Sequence, residues 1–142
     1  MNEPNVSNRE LIRRAAAAIN PRRGPYGRHF GGVGCCLLTT SGNFYMGVDI
    51  DTSSGTGFCA EHSAIAAMVT AGEYEIAGIV AVWRDEQDHL YVLPPCGRCR
   101  EFIRQVDEAN LDAEVILDDK RRQRLRELLP QHEWPAPLNL RL

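Results

Sequence analysis

Apolar residues recur along this chain with two periods, and the way the periods alternate predicts its architecture. Leu11, Ile12, Ala15, Ala16 and Ile19 form a stripe at helical spacing. Ser7-Asn8-Arg9-Glu10 ahead of it has the form of a capping box, with Glu10 placed to bond back to the cap backbone, and Asn20-Pro21 stops the helix. Residues 21–32 are dense in glycine, proline, arginine and histidine, which predicts a loop. Val33 to Thr39 reads as a buried strand, Ser41-Gly42-Asn43 as a turn, and Phe44 to Ile50 as the hairpin partner. A flexible loop through Ser53, Ser54, Gly55 and Gly57 leads to Ala60, Ala64, Ile65, Ala67 and Met68, a second helix ended by Gly72. Ile76 to Trp83 is a continuous apolar run suited to a central strand, and Leu90 to Leu93 a shorter one broken by Pro94-Pro95. A helix from about Cys99 to Ala109, a strand from Ala113 to Leu117 and a short closing helix marked by Leu125, Leu128 and Leu129 complete the chain. This order predicts an α/β fold, a three-layer α/β/α sandwich with a five-stranded mixed sheet, in one domain over residues 1–142.

Composition narrows the class of protein without changing that picture. The chain is long enough to bury a core unaided, with a hydrophobic fraction of 44% and 25% charged residues, both ordinary for a globular domain. A net charge of -3 argues against a nucleic-acid binder, which needs a basic stripe along the phosphate backbone. The one basic cluster, Lys120-Arg121-Arg122 with Arg124 and Arg126, follows Asp118 and Asp119 and is read as a solvated helix start. No run approaches the length of a membrane span, and the polar first ten residues lack the layout of a signal peptide. The expected location is the cytoplasm, where five cysteines serve as metal ligands or buried thiols rather than disulfides. Cys35 and Cys36, adjacent on a strand, point to opposite faces and are read as inert core thiols. Trp83, at the end of an apolar strand, is read as core or subunit interface.

Two segments carry chemistry: Cys59-Ala60-Glu61 and Pro95-Cys96-Gly97-Arg98-Cys99. Three thiols can hold one zinc ion and leave its fourth position to water, whose pKa the metal lowers to roughly 7. Both segments lie where a loop feeds a helix, so the sulfurs sit at helix N-termini, where free N–H groups favour thiolates. Glu61, two residues after Cys59, is near the metal and free to shuttle protons.

Cys-Ala-Glu followed by Pro-Cys-Gly-Arg-Cys resembles the zinc-dependent cytidine deaminase superfamily, specifically its small three-cysteine branch. Tyr45-Met46-Gly47-Val48-Asp49-Ile50-Asp51 is similar to the strand before that family's zinc helix, and Arg126-Glu127-Leu128-Leu129-Pro130 resembles the start of its C-terminal tail. The resemblance implies that Cys59, Cys96 and Cys99 ligate one Zn²⁺ per subunit and that Glu61 moves protons to ring N3 and the leaving amine. It also implies that the Ala60 N–H bonds the pyrimidine O2 and the Pro94 carbonyl accepts from the amine. The implied reaction is hydrolytic deamination at C4 of a free cytosine nucleoside by a homotetramer, without nucleic-acid or membrane partners.

Departures from the family pattern concentrate on the substrate. Asp49 and Asp51 stand where the family carries Asn and Glu to grip the ribose; aspartates only accept hydrogen bonds, and two of them suit a cationic substrate as well. Gly31 stands at the usual ring-stacking phenylalanine, leaving Phe30 or His29 as substitutes. Similar loosening, with the Arg-Glu-Leu-Leu-Pro tail and a nearby tryptophan, is seen in blasticidin S deaminases, so a modified cytosine nucleoside is the alternative substrate. Trp134 belongs to a tail that in the family often covers a neighbouring subunit's active site. His62 replaces an arginine that offsets thiolate charge, and His62, Arg98 or Arg100 can supply donors around the metal. Two rival readings remain: a structural zinc module, which has no need of Glu61, and a polynucleotide-editing deaminase, which usually has histidine as first ligand and needs a basic groove.

Overall fold

The computed structural model describes residues 5–142, and the two apolar periods appear in it as layers. Helix α1 (Asn8–Ala18) is followed by β1 (Arg22–Arg23), β2 (His29–Thr39), β3 (Phe44–Asp51), α2 (Ala60–Thr70), β4 (Ile76–Arg84) and β5 (Leu90–Val92). Then come α3 (Gly97–Val106), a 3₁₀ turn (Glu108–Asp112), β6 (Glu114–Ile116), β7 (Arg122–Arg124) and α4 (Leu125–Leu128). The Ser7 hydroxyl caps α1 by accepting from the Glu10 N–H, while the Glu10 carboxylate turns outward to Arg13 and Arg14 instead of closing the capping box.

One mixed sheet organises the chain. Strand β2 pairs antiparallel with β1, β3 and β4; β4 pairs antiparallel with β5 and parallel with β6; β6 pairs antiparallel with β7. The sheet therefore has seven strands, not five. Both additions are short and come from tertiary pairing rather than periodicity. Strand β1 forms because β2 begins at His29, inside the segment read as a loop, and offers it an edge. Strand β7 forms because Asp118 Oδ1 accepts from the Lys120 and Arg121 N–H groups and turns the chain back along β6. The basic cluster thus begins as a turn and a strand and reaches the helix start only at its end, where Arg124 is the N-cap of α4 and Arg126 lies within it. Three of its side chains are paired: Arg121 with Asp118, Arg122 with Asn8, and Arg126 with Asp112.

The alternation along β2 assigns the two cores. Cys35 and Leu37 pack with Ile65 and Met68 of α2, Ile103 of α3 and Leu125 of α4. Cys36 and Leu38 face the other way, against Leu11 and Ala15 of α1 with Val80 and Val82. Both thiols are fully buried, and burial pushes Cys36 up to about 11 and Cys35 well above its usual range, as inert core thiols require. Two glycines set how closely the helices approach the sheet. A Cβ on Gly34 would lie 2.1 Å from the Ala15 carbonyl oxygen, and one on Gly47 would lie 2.3 Å from the Ala64 nitrogen. Gly47 brings α2 down onto β3, which positions the helix start discussed next. No helix among the described residues is long and apolar enough to cross a membrane.

Candidate active site

Both cysteine segments end loops that become helices, and in each the first cysteine is the N-cap: Cys59 for α2 and Cys96 for α3. Neither thiol makes the side-chain cap bond that serine or aspartate would make there. The sulfurs turn toward one another. Cys96 Sγ lies 3.7 Å from Cys99 Sγ, and Cys99 Sγ lies 3.7 Å from His62 Nδ1. The ligand atoms of Cys59, His62 and Cys99 all fall within 4.8 Å of one another.

That spacing passes a simple test for zinc. Two sulfurs bound at about 2.3 Å to a tetrahedral ion stand about 3.8 Å apart, and the Cys96–Cys99 separation is 3.7 Å. The donors are soft sulfur with an imidazole at hand, the set zinc favours over oxygen-loving cations. Burial pushes the Cys99 thiol far up in the absence of a cation, with Glu61 beside it adding to the shift. A divalent cation would reverse this and hold the group as thiolate.

Glu61, on the first turn of α2, is 6% exposed, and burial raises its carboxyl above the ordinary range; nearby Asp49 adds to that rise while contact with Cys99 opposes it. A carboxyl raised in this way exchanges protons nearer neutrality. Ala60, the first helical residue, is fully buried, and its N–H has no intrahelical acceptor.

The cleft in front of the thiols has a volume of about 300 Å³ and is lined by Asp49, Asp51, Gly57, Phe58, Cys59 and Arg98, among others. Asp49 Oδ1 already accepts from the Val33 N–H at 2.8 Å, beside the irregularity in β2 between Phe30 and Gly34. One carboxylate oxygen of Asp49 therefore holds the chain at the cleft wall.

Several sequence-predicted residues lie elsewhere. Phe30 pairs with Ile50, on the face opposite to Asp49 and Asp51, and does not line the cleft, whereas His29 pairs directly with Asp51. Arg100 does not reach the thiols. Its Nε donates to the Pro95 carbonyl at 2.8 Å and its Nη1 to the Leu128 carbonyl at 2.9 Å, so it braces the metal loop against α4. Trp134 is held away from its own chain's cleft: its ring lies 3.9 Å from the Arg104 guanidinium and its Nε1 donates to Glu108 at 2.6 Å. His62 does face the site, stacked on Phe102 with ring centroids 4.1 Å apart, and Arg98 stands at the cleft rim. Pro94 lies exposed directly before the buried Pro95.

The chain's likeness to known proteins agrees with this geometry. Residues 7–112 match the family model described as the cytidine and deoxycytidylate deaminase zinc-binding region. A cytidine deaminase of Halalkalibacterium halodurans is 32% identical over 108 residues, covering 75% of this chain and 76% of that one. A blasticidin-S deaminase of Bacillus cereus is 38% identical over 76 residues, covering 50% of this chain and 54% of that one. The crystal structure of cytidine deaminase from Mycobacterium leprae superposes with a TM-score of 0.72 at 27% identity, over 89% of this chain and 100% of that one. Against two other matched cytidine deaminases the chain spans less than half of their length, 46% and 34%.

Proposed function

The chain belongs to the cytidine and deoxycytidylate deaminase zinc-binding family, and from that premise we propose that it is an aminohydrolase acting at C4 of a free cytosine nucleoside, releasing ammonia and the uracil nucleoside. The observation that carries this reading is the buried Glu61 carboxyl beside the Cys59–His62–Cys99 cluster, with Cys96 Sγ 3.7 Å from Cys99 Sγ, open on one side to a cleft of nucleoside size. Cys59, Cys96 and Cys99 hold the zinc, which when bound makes a water nucleophilic at neutral pH. Glu61 takes a proton from the attacking water, delivers it to ring N3, and later protonates the amine that departs from C4. The Ala60 N–H binds the pyrimidine O2, and the Pro94 carbonyl accepts from the amine. Asp51 and the second carboxylate oxygen of Asp49 accept from sugar hydroxyls. His62 Nδ1, 3.7 Å from Cys99 Sγ, together with Arg98 nearby, would offset the formal negative charge of three thiolates on one Zn²⁺. We read residues 1–142 as a single domain, and the resemblance to the three-cysteine branch supports a homotetramer in the cytoplasm, which sedimentation velocity and cell fractionation check.

A second reading has its own support. Two carboxylates in one cleft, with a blasticidin-S deaminase among the relatives, fit a cytosine nucleoside bearing a cationic substituent. A panel of cytidine, deoxycytidine, cytosine, N4-substituted cytidines and blasticidin S, followed by ammonia release, separates the two. Turnover of cytidine or deoxycytidine with little on blasticidin S supports the first reading, and the reverse supports the second. Zinc-loaded protein that releases no ammonia from any of them overturns both.

A further inference from the structure

The sheet beneath the proposed site is a grid whose rows can be counted. On the face covered by α2, Gly47, Cys35 and Ala81 form one row across β3, β2 and β4. The α2 side is identified by Gly47, where a Cβ would meet the Ala64 nitrogen and the Ser63 side chain. This row lies under the catalytic end of α2: Ala81 and Glu61 line one small cavity. Residues two apart along a strand share a face, and directly opposed residues do too. The next row outward on that face is therefore Asp49, Val33 and Trp83, extended on β5 by Tyr91.

Asp49 lies in the cleft, and Trp83 stands opposite it with only Val33 between. The two backbones are separated by two strand spacings, about 10 Å. No helix covers Trp83, which is 40% exposed although it ends an apolar strand. Its ring is nonetheless fixed in place. Tyr91 stacks on it with centroids 5.1 Å apart and an interplanar angle of 28°, and the Tyr91 hydroxyl donates to Asp85 Oδ2 at 3.1 Å. In the stretch before Val33, Gly31 has no ring, Phe30 shares the opposite face, and His29, which pairs with Asp51, folds its imidazole over Gly32.

We propose that Trp83, buttressed by Tyr91, is the aromatic wall against which the pyrimidine base of the substrate packs, making it a base-binding residue of the site. The inference rests on the nucleoside reading given above and deepens it. A flat, preset ring contributes area at low entropic cost, and its contact is indifferent to whether C4 carries an amine or an oxygen. Substrate and product pyrimidines both meet it, so its loss falls on binding rather than on the chemical step.

The test combines kinetics with fluorescence, since Trp83 and Trp134 are the only tryptophans. In the Trp134→Phe protein, cytidine and uridine are expected to change Trp83 emission saturably, whether or not the protein turns cytidine over. Trp83→Ala is expected to raise KM for the best substrate roughly tenfold or more, in the range of base-stacking losses, with kcat within about threefold, and Trp83→Phe is expected to recover most of the loss. Unchanged KM in Trp83→Ala together with no saturable emission change overturns the proposal while leaving the deaminase reading intact. A shift in sedimentation with KM unaltered assigns the pair to a subunit contact and likewise overturns it. If the wild type deaminates nothing, the emission titration with cytidine still decides whether the wall meets a pyrimidine.

Discussion

At the metal end of the cleft, Cys99, Ala60 and Glu61 are buried on helix starts that pack against the sheet, whereas at the other end Asp51 and Gly55 stand exposed on a strand end and a loop. The metal end is over-determined. Gly47 brings α2 onto β3, Cys35 and Leu37 sit beneath it, and Arg100 ties the Pro95 carbonyl to Leu128. At the exposed end, side chains project into solvent and few neighbours constrain them. Substitution there costs little stability, so specificity can change without disturbing the reaction. The contrast explains how one chain can carry an intact zinc motif beside a strand and loop that depart from the family pattern.

Breaking the metal end has the largest expected effect. Cys99→Ala removes the sulfur that meets both Cys96 and His62, and is expected to lose zinc and at least 100-fold in turnover together; metal analysis beside ammonia release checks this, and retention of zinc at full stoichiometry would contradict it. His62→Ala is expected to lower turnover by about 10- to 100-fold while reducing zinc content far less. Unchanged activity would remove the histidine from the site. Arg100→Met leaves two carbonyls without their donor and is expected to cost about 1–3 kcal/mol in urea unfolding, with zinc yielded more readily to a chelator. At the open end, Asp49→Asn keeps an acceptor for the Val33 N–H, so the expected change is a shift of a few-fold in KM (about 1 kcal/mol or less) with zinc content unaltered. A large loss of kcat there would mean that the two ends are not separable.

The parts that were legible in the sequence are those set by local pattern. The helical stripe at Leu11–Ile19, the opposed faces of Cys35 and Cys36, and the two loop-to-helix cysteine segments all follow from spacing, and all stand as read. What was not legible depends on partners distant in the chain. Strands of two or three residues such as β1 and β7 have no period to detect. Arg100 looked like a donor to thiolates because it follows Cys99 in sequence, yet its helix turns it toward Pro95 and Leu128. Trp134 carries no signal that Arg104, thirty residues earlier, will hold it. Trp83 ends an apolar run like any core residue, yet it stands exposed beside Tyr91.

The account stands or falls on Glu61 acting as the proton carrier beside a metal that it does not hold. The direct measurement is zinc content and ammonia release on the same preparation of Glu61→Ala, against the wild type with its best cytosine nucleoside. The expected result is zinc retained near one per chain with turnover reduced about 10²- to 10⁴-fold. Zinc retained with turnover within a few-fold of wild type would contradict the mechanism.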